Sequence, residues 1–482
     1  MAYRYGDRYQ MALLPQSIED YVVQEDPVRA YDAFVEALDL DALGIEIDPK
    51  QVGNSEYDPK TMLKLLVYGY SYGIRSSRKL ERETYHNLSF IWLMGGLKPD
   101  HKTIAEFRRK NKVALKKVLK QCARVCIQLN LIEGNILFVD GAKIRANASR
   151  SQTHDPAYYE RLLSEIDRRI EQLLEECEGV DQQEEGRGSC VAMEKELAKA
   201  DRLKSKIQKA LEVFKESGRE QINLTDPDCA LMHSVQGSHA DYNVQSVVDD
   251  KYGLIVHADA VNETSDVNQF ARQIEQANEV LEEPCKVGSA DAGYADTEEL
   301  EKIDRQGIKV IVPSQRQALH TEEGPFSKSR FPYDREQDCY WCPEGHRLSY
   351  QGTDAKSGKR HYQITNRKFC HRCVHYGLCT SAKKGRKIVR LPHEEVKEKL
   401  EAQYQEVASQ EIYARRKARV EHPFGHIKRN LKTDGFLMRG RQGVGAETSL
   451  LATCFNLARM ITILGVSGLI QKLMALSAPM GG

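Results

Sequence analysis

The sequence of 482 residues carries no excess of charge of either sign, with 70 Lys and Arg against 70 Asp and Glu. That excludes a uniformly basic nucleic-acid coat, though not local basic patches. It contains no G-x-x-x-x-G-K-[ST] loop, so nothing points to nucleoside triphosphate chemistry. Its opening residues, MAYRYGDRYQ, have no apolar core of the kind a secretory signal needs. It also lacks an unbroken apolar run long enough for a membrane span. The most apolar stretch, 450–476, is interrupted by Asn456, Arg459, Gln471 and Lys472, and so reads as a core or docking helix. These absences point to a cytosolic chain with no membrane partner.

What is present is a soluble, globular composition: 29% charged and 41% hydrophobic residues. The length allows about two to four domains. The balanced charge is unevenly spread. Acid gathers over 160–196, and base gathers over 75–124 and 383–441. Of the 12 cysteines, Cys339, Cys342, Cys370, Cys373 and Cys379 lie close together. That bunching suits a metal site in a reducing compartment better than an extracellular disulfide framework.

Taken in order, residues 1–55 read as a mobile start followed by one helix over 27–38. Residues 58–130 read as several helices. Asp100 is placed to cap one that carries Ile104, Phe107, Val113, Leu115, Val118 and Leu119 on one side. The other side carries Arg108, Arg109, Lys110, Lys112, Lys116 and Lys117, a face that could grip a duplex or simply be solvated. Ile136–Val139 is a continuous apolar strand, Asp140 follows it, and Gly141 permits a bend or a close approach. Residues 155–217 repeat apolar positions at three- and four-residue steps around a polar centre, which predicts a helical hairpin. A β-hairpin follows over 242–248 and 254–260. Asp266 then caps a helix over 267–281, a short strand over 286–290 ends at Asp291, and Thr297 begins another helix before a strand over 309–313. Residues 318–385 hold the Cys cluster and little apolar periodicity. Residues 392–430 read as helical and charged with a kink at Pro423, and 445–474 give a last amphipathic helix.

Three acids stand out. Asp140 and Asp291 each end a short apolar strand, a position that Asp also takes as a plain turn former. Glu421 lies in RRKARVEHPFGHIKRN, the single carboxylate among Arg415, Arg416, Lys417, Arg419, Lys428 and Arg429. On a helix, Glu421 and Lys428 are two turns apart and share a face. A carboxylate among so many cations is a ligand for a hard divalent ion, and the cations can neutralise phosphates. Three acids brought together would need Mg²⁺ between them. His422 and His426 fit packing or DNA contact better than ligation. In the Cys cluster, Cys339/Cys342 and Cys370/Cys373 form two C-x-x-C pairs, the spacing of a zinc ribbon, with Cys379 six residues on.

The series FVDGAKIRANAS, ADAGY and VEHPFGHIKRN resembles the catalytic core of DDE transposases from bacterial insertion sequences, over most of the chain. The resemblance implies an RNase-H-like mixed α/β sheet flanked by helices, with an N-terminal all-α domain, a helical-hairpin insertion and a small zinc-ribbon-like insertion. It places an N-terminal DNA-binding domain at 1–130 and a catalytic domain at 131–317 and 386–482, with insertions at 155–220 and 318–385. It implies that Asp140, Asp291 and Glu421 hold two Mg²⁺ or Mn²⁺ ions, and that Lys428 touches transposon-end DNA; Arg429, Arg415, Arg416, Lys417, Arg108 and Arg109 are further DNA-binding candidates by their charge. The family's Tyr–Arg–Glu–Lys signature is met in its second half. Lys417 stands where it has Arg, and Tyr413 is one residue out of register with Ala414. Similar transposases carry a C-P-x-G and C-x-x-C-x5-C set that maps to Cys342, Cys370, Cys373 and Cys379 as Zn²⁺ ligands, with Cys339 the alternative from plain ribbon spacing. The implied reaction is metal-dependent cleavage at the terminal inverted repeats and strand transfer into target DNA, by a homodimer on DNA in the bacterial cytoplasm at the nucleoid. A catalytically silent zinc-containing DNA-binding protein and an RNase-H-like nuclease without strand transfer are the competing expectations.

Overall fold

The structure, a computed structural model, describes residues 17–45, 56–181, 187–234, 237–319, 324–355 and 357–477, with the side chains of 177–193 also left aside. The expected mobile start therefore lies mostly outside the described residues. Contacts divide the chain into two units. The first comprises Met1–Asp266, Gln273–Cys285 and Lys417–Gly482; the second comprises Val267–Arg272 and Lys286–Arg416.

The first unit opens with helices α1 (Pro27–Glu36), α2 (Leu40–Leu43), α3 (Pro59–Ser71), α4 (Ser77–His86), α5 (Leu88–Leu93), α6 (His101–Lys110) and α7 (Lys112–Gln128). Their starts are written locally. Asp26, Asp58 and Asp100 each accept a backbone N–H of the first turn, and Pro27 and Pro59 follow the first two as helix-compatible first residues. Strand β1 (Ile136–Arg145) comes next, then β2 (Thr153–His154) and the hairpin helices α8 (Pro156–Asp181) and α9 (Arg187–Ser217). Strands β3 (Ile222–Asn223), β4 (Ala230–Ser234), β5 (Gly237–Asp249) and β6 (Ile255–Val261) follow, then helix α10 (Phe270–Leu281), which belongs to this unit from Gln273 on. The long strand β5 pairs antiparallel with β1 on one edge, and with β4 and β6 on the other. The helical hairpin has its own small core, including Tyr159, Ile166, Ile207 and Phe214.

In the second unit, β7 (Val287–Ser289) and β8 (Lys309–Ile311) pair in parallel, with α11 (Thr297–Asp304) between them and α12 (Gln315–Ala318) after. The Cys-bearing segment is more regular than its weak periodicity predicts. Strands β9 (Tyr333–Asp334), β10 (Cys339–Trp341), β11 (Arg347–Thr353), β12 (Arg360–Ile364) and β13 (Lys387–Arg390), with helix α13 (Arg367–Arg372), form a five-stranded antiparallel sheet. Its core is Phe331, Tyr340, Leu348, Tyr362, Ile364 and Ile388. Tyrosine and short strands hide such a sheet from a period-two reading.

Helix α14 (Glu394–Gln405) precedes α15 (Val407–Arg429), within which the chain returns to the first unit; Pro423 lies inside α15 without ending it. The last amphipathic segment is two helices, α16 (Gly440–Leu464) and α17 (Val466–Ser477), bent by 109° at Gly465, where φ is +71°. Every residue from Gly443 to Leu457 is buried, and α16 packs on α7, β6 and α3. Asn456, which interrupts the apolar run, bonds both the N–H and the C=O of Ile255 on β6 at 2.8 Å. Its amide thereby satisfies backbone groups that a Leu would leave unpaired. No single helix among the described residues is long and apolar enough to cross a membrane. The fold is the mixed α/β arrangement expected of an RNase-H-like chain with an N-terminal helical region.

Candidate active site

Asp140 lies in the middle of β1, not after it. The ladder with β5 continues from Leu137↔Asp249 to Arg145↔Asp241, so the apolar run is only the first half of the strand. Asp140 faces Ser246 and Ala142 faces Val244. Residues two apart on a strand share a face, so Asp140, Ala142 and Ile144 point the same way. Ile144, Val244 and Ser246 line one cavity with Pro423, Phe424 and Ile427 of α15. The face that carries Asp140 is therefore the face α15 covers, and Glu421 stands on α15 one turn before Phe424. The structure brings these two acids to the same side of one sheet.

Glu421 is exposed, with Lys417 Nζ 3.9 Å from its Oε1. Lys428 follows on the same stripe and is also exposed. Burial raises the pKa of the nearby Asp241 carboxyl, while His239, Arg145, Lys143 and Lys428 act to lower it. That places Lys428 within electrostatic reach of the β1–β5 ladder. The rings of His422 and His426 lie 5.3 and 5.5 Å from that of Phe455 on α16, with His426 half-buried and His422 on the exposed side. Burial against that ring lowers the pKa of both imidazoles. Arg419 is committed to the β5–β6 turn, through Asp250 and the Lys251 carbonyl at 3.3 Å.

On the opposite face of β1, Gly141 is a close approach. A Cβ there would lie 2.5 Å from Gln245 Nε2 and 2.8 Å from Asp266 Oδ1. Asn243 and Gln245 donate to that oxygen at 2.8 and 2.7 Å. Asp266 therefore does not cap α10, which begins at Phe270; two amides of β5 hold it over β1 instead. Sequence reading missed this carboxylate because its partners lie about twenty residues away. The absent side chain of Gly141 was the available signal.

Asp291 belongs to the second unit, two residues past β7. It caps the short turn Ala292–Tyr294, accepting from Gly293 N at 2.8 Å. Arg416 Nη2 lies 3.7 Å from its Oδ2, and the Arg416 guanidinium sits 5.6 Å over the Tyr413 ring. Arg416, rather than the Lys417 that aligns with the signature, is the cation beside this acid. Arg415 and Arg429 are exposed.

Arg108 requires a correction. It is 8% exposed, and its guanidinium donates to the Arg75 carbonyl at 2.9 Å, to the Tyr70 hydroxyl at 3.3 Å and to Ser77. It stands one turn after the buried Ile104, on the inward stripe of α6. Arg109 points outward and pairs with Glu106.

Cys342, Cys370, Cys373 and Cys379 line one small cavity of about 30 Å³, with His346 and His375 at its wall. Backbone N–H groups of His346, Arg386 and His375 reach the sulfurs of Cys342, Cys370 and Cys373 at 3.3, 3.4 and 3.5 Å. Cys339 is fully buried in β10 and does not line the cavity. Among the described residues, no three or more His, Cys, Asp or Glu side chains are already arranged to hold a metal ion.

Residues 341–461 match the family described as Transposase DDE domain, and residues 16–110 match the one described as Transposase domain (DUF772). The first match contains Glu421, Lys428 and the four cavity cysteines; Asp140 and Asp291 lie outside it. No curated protein and no solved structure matches the chain.

Proposed function

The chain belongs to the DDE transposases of insertion-sequence type, and from that premise we propose that it cuts DNA at the ends of its element and joins them to target DNA. The observation that carries this reading is the shared face of Asp140 and Glu421, from strand and helix positions far apart in sequence. Asp291, beside Arg416, supplies the third acid.

These carboxylates offer hard oxygen donors and would hold two Mg²⁺ or Mn²⁺ ions. Such ions would activate an attacking oxygen and stabilise a leaving one. Lys428, Arg429, Arg415, Arg416, Lys417 and Arg109 supply positive charge for the DNA backbone. Water attacks the phosphodiester at the element's end, one P–O bond replaces another, and a 3′-OH leaves. That hydroxyl then attacks a target phosphate. Each step exchanges one P–O bond for another, so no triphosphate is consumed. Cys342, Cys370, Cys373 and Cys379 suit Zn²⁺ by softness, the first three also by N–H···S bonds, and such a site would hold the five-stranded sheet together. The protein acts as a homodimer on terminal inverted repeats, in the cytoplasm at the nucleoid.

The test is cleavage and joining of terminal-repeat DNA in Mg²⁺. Asp140→Asn, Asp291→Asn and Glu421→Gln are each expected to lower cleavage by about a thousandfold while leaving DNA binding intact. Wild-type rate in any one variant removes that residue from the site. Cut but unjoined product would make the protein a nuclease, and binding without any nicking would make it a silent DNA-binding protein.

A further inference from the structure

The first unit carries a second cationic surface, made by elements other than those that hold Asp140 and Glu421. An open groove of about 430 Å³ runs between α7, β6, α10 and the start of α16. Lys112, Lys116, Lys117 and Lys120 line it, and Glu279 is the one acidic wall residue among the described residues. A second groove of about 470 Å³ shares Lys112 and continues past Arg109 and Arg439. Lys112, Lys116 and Lys120 fall at four-residue steps, so their backbone positions rise about 6 Å at a time along one helix face.

The groove is built as well as charged. A Cβ at Gly445 of α16 would lie 3.3 Å from Lys116 Cδ, so this glycine makes room for the Lys116 stem, while Lys112 Cε lies in ordinary contact distance, 3.8 Å, of a Cβ at Gly443. Lys116 then reaches the buried Asp259 at 3.1 Å, fixing the floor. Among the described residues, Lys112, Lys117 and Lys120 have no ion-pair partner. Three ammonium groups along an open trough, with one acid among them, form an uncompensated line of charge. A compact anion would neutralise one or two of them. A polymer with a phosphate at every step would neutralise the whole line.

We propose that this groove binds the sugar–phosphate backbone of duplex DNA, as a gripping surface separate from the acids. The proposal rests on the transposase reading and locates the contact on the lysines of α7 and the first turn of α16, without Arg108, which is buried on α6. Backbone contact of this kind is insensitive to sequence and depends steeply on salt, because each neutralised phosphate releases counterions.

The test uses the full chain and a fluorescein-labelled random-sequence duplex, without divalent metal, read by anisotropy across a salt series. Lys116 is left in place because it compensates Asp259. The Lys112→Ala/Lys117→Ala/Lys120→Ala variant should bind about tenfold or more weakly near physiological salt, with the slope of log K against log salt shallower by about 2 to 3. Lys112→Arg/Lys117→Arg/Lys120→Arg should keep the wild-type slope, and thermal unfolding shows whether each variant is folded. A folded alanine variant with wild-type affinity and slope overturns the groove and leaves the transposase reading standing. A wild-type chain that binds no duplex at all overturns both.

Discussion

Arg75 Nη1 lies 2.8 Å from Glu447 Oε1, in an ion pair whose carboxylate is completely buried. The same guanidinium donates to the Gly435 carbonyl at 3.0 Å, and the other carboxylate oxygen accepts from Leu437 N and Met438 N at 2.9 and 3.1 Å. Phe436 N in turn bonds the Arg145 carbonyl at the end of β1 at 2.8 Å. One buried pair thus ties the α3–α4 turn, the 435–438 loop, α16 and β1 together.

Burial pushes the Glu447 pKa up, and Arg75 pulls it down. Removing one partner strands the other charge in the interior, which costs about 3–5 kcal/mol. Arg75→Ala should therefore lower the urea midpoint strongly. Arg75→Met/Glu447→Leu should recover part of the loss. A small effect in the single variant would mean that the pair is relieved by solvent.

Gly141→Ala tests the tether beneath β1. The added methyl cannot coexist with Gln245 and Asp266 where they stand, so their hydrogen bonds should break. Overpacking of this kind costs about 1–3 kcal/mol. Because Gly141 adjoins Asp140, we expect cleavage to fall more than stability does, as measured by initial rates beside thermal unfolding.

The five thiols separate by position. Cys379→Ser should abolish zinc retention, and Cys339→Ser should keep roughly one ion per chain, as read by chelator-coupled metal release. Loss of metal in Cys339→Ser with retention in Cys379→Ser would reverse the assignment drawn from the cavity lining.

His422 and His426 give a pH dependence with a defined sign. Their folded pKa values lie below the unfolded value of 6.5, so the unfolded chain takes up protons first. Their stabilising contribution is complete above that value and is lost as pH falls through the folded values. The thermal midpoint of the wild type should drop more between about pH 7.5 and 5.5 than that of His422→Gln/His426→Gln. Parallel curves would show that neither ring resists protonation.

Much of the fold was written locally. Asp26, Asp58 and Asp100 announce their helices, and the β5–β6 hairpin lies where its turn residues put it. What was illegible depended on distant partners. β1 outruns its apolar half because β5 supplies a ladder. Arg108 turns inward because α6 buries the stripe begun by Ile104. Asp266 looked like a cap because its tethering amides lie on another strand. At the candidate site, the acids and the Cys spacing were readable one by one. That Arg416 rather than Lys417 neighbours Asp291 was not, since a one-residue step on a helix changes direction by about 100°.

The excursion made by α8 and α9 begins and ends at adjacent points: Thr153 pairs with Asn223 and His154 with Ile222. Among the described residues, its apolar side chains pack on one another around Tyr159 and Phe214. A protrusion closed at its neck in this way can grow, shrink or be exchanged without altering the path of β1 or β5. A shortened hairpin joined above Thr153 and Asn223 should therefore leave the β1–β5 ladder in register.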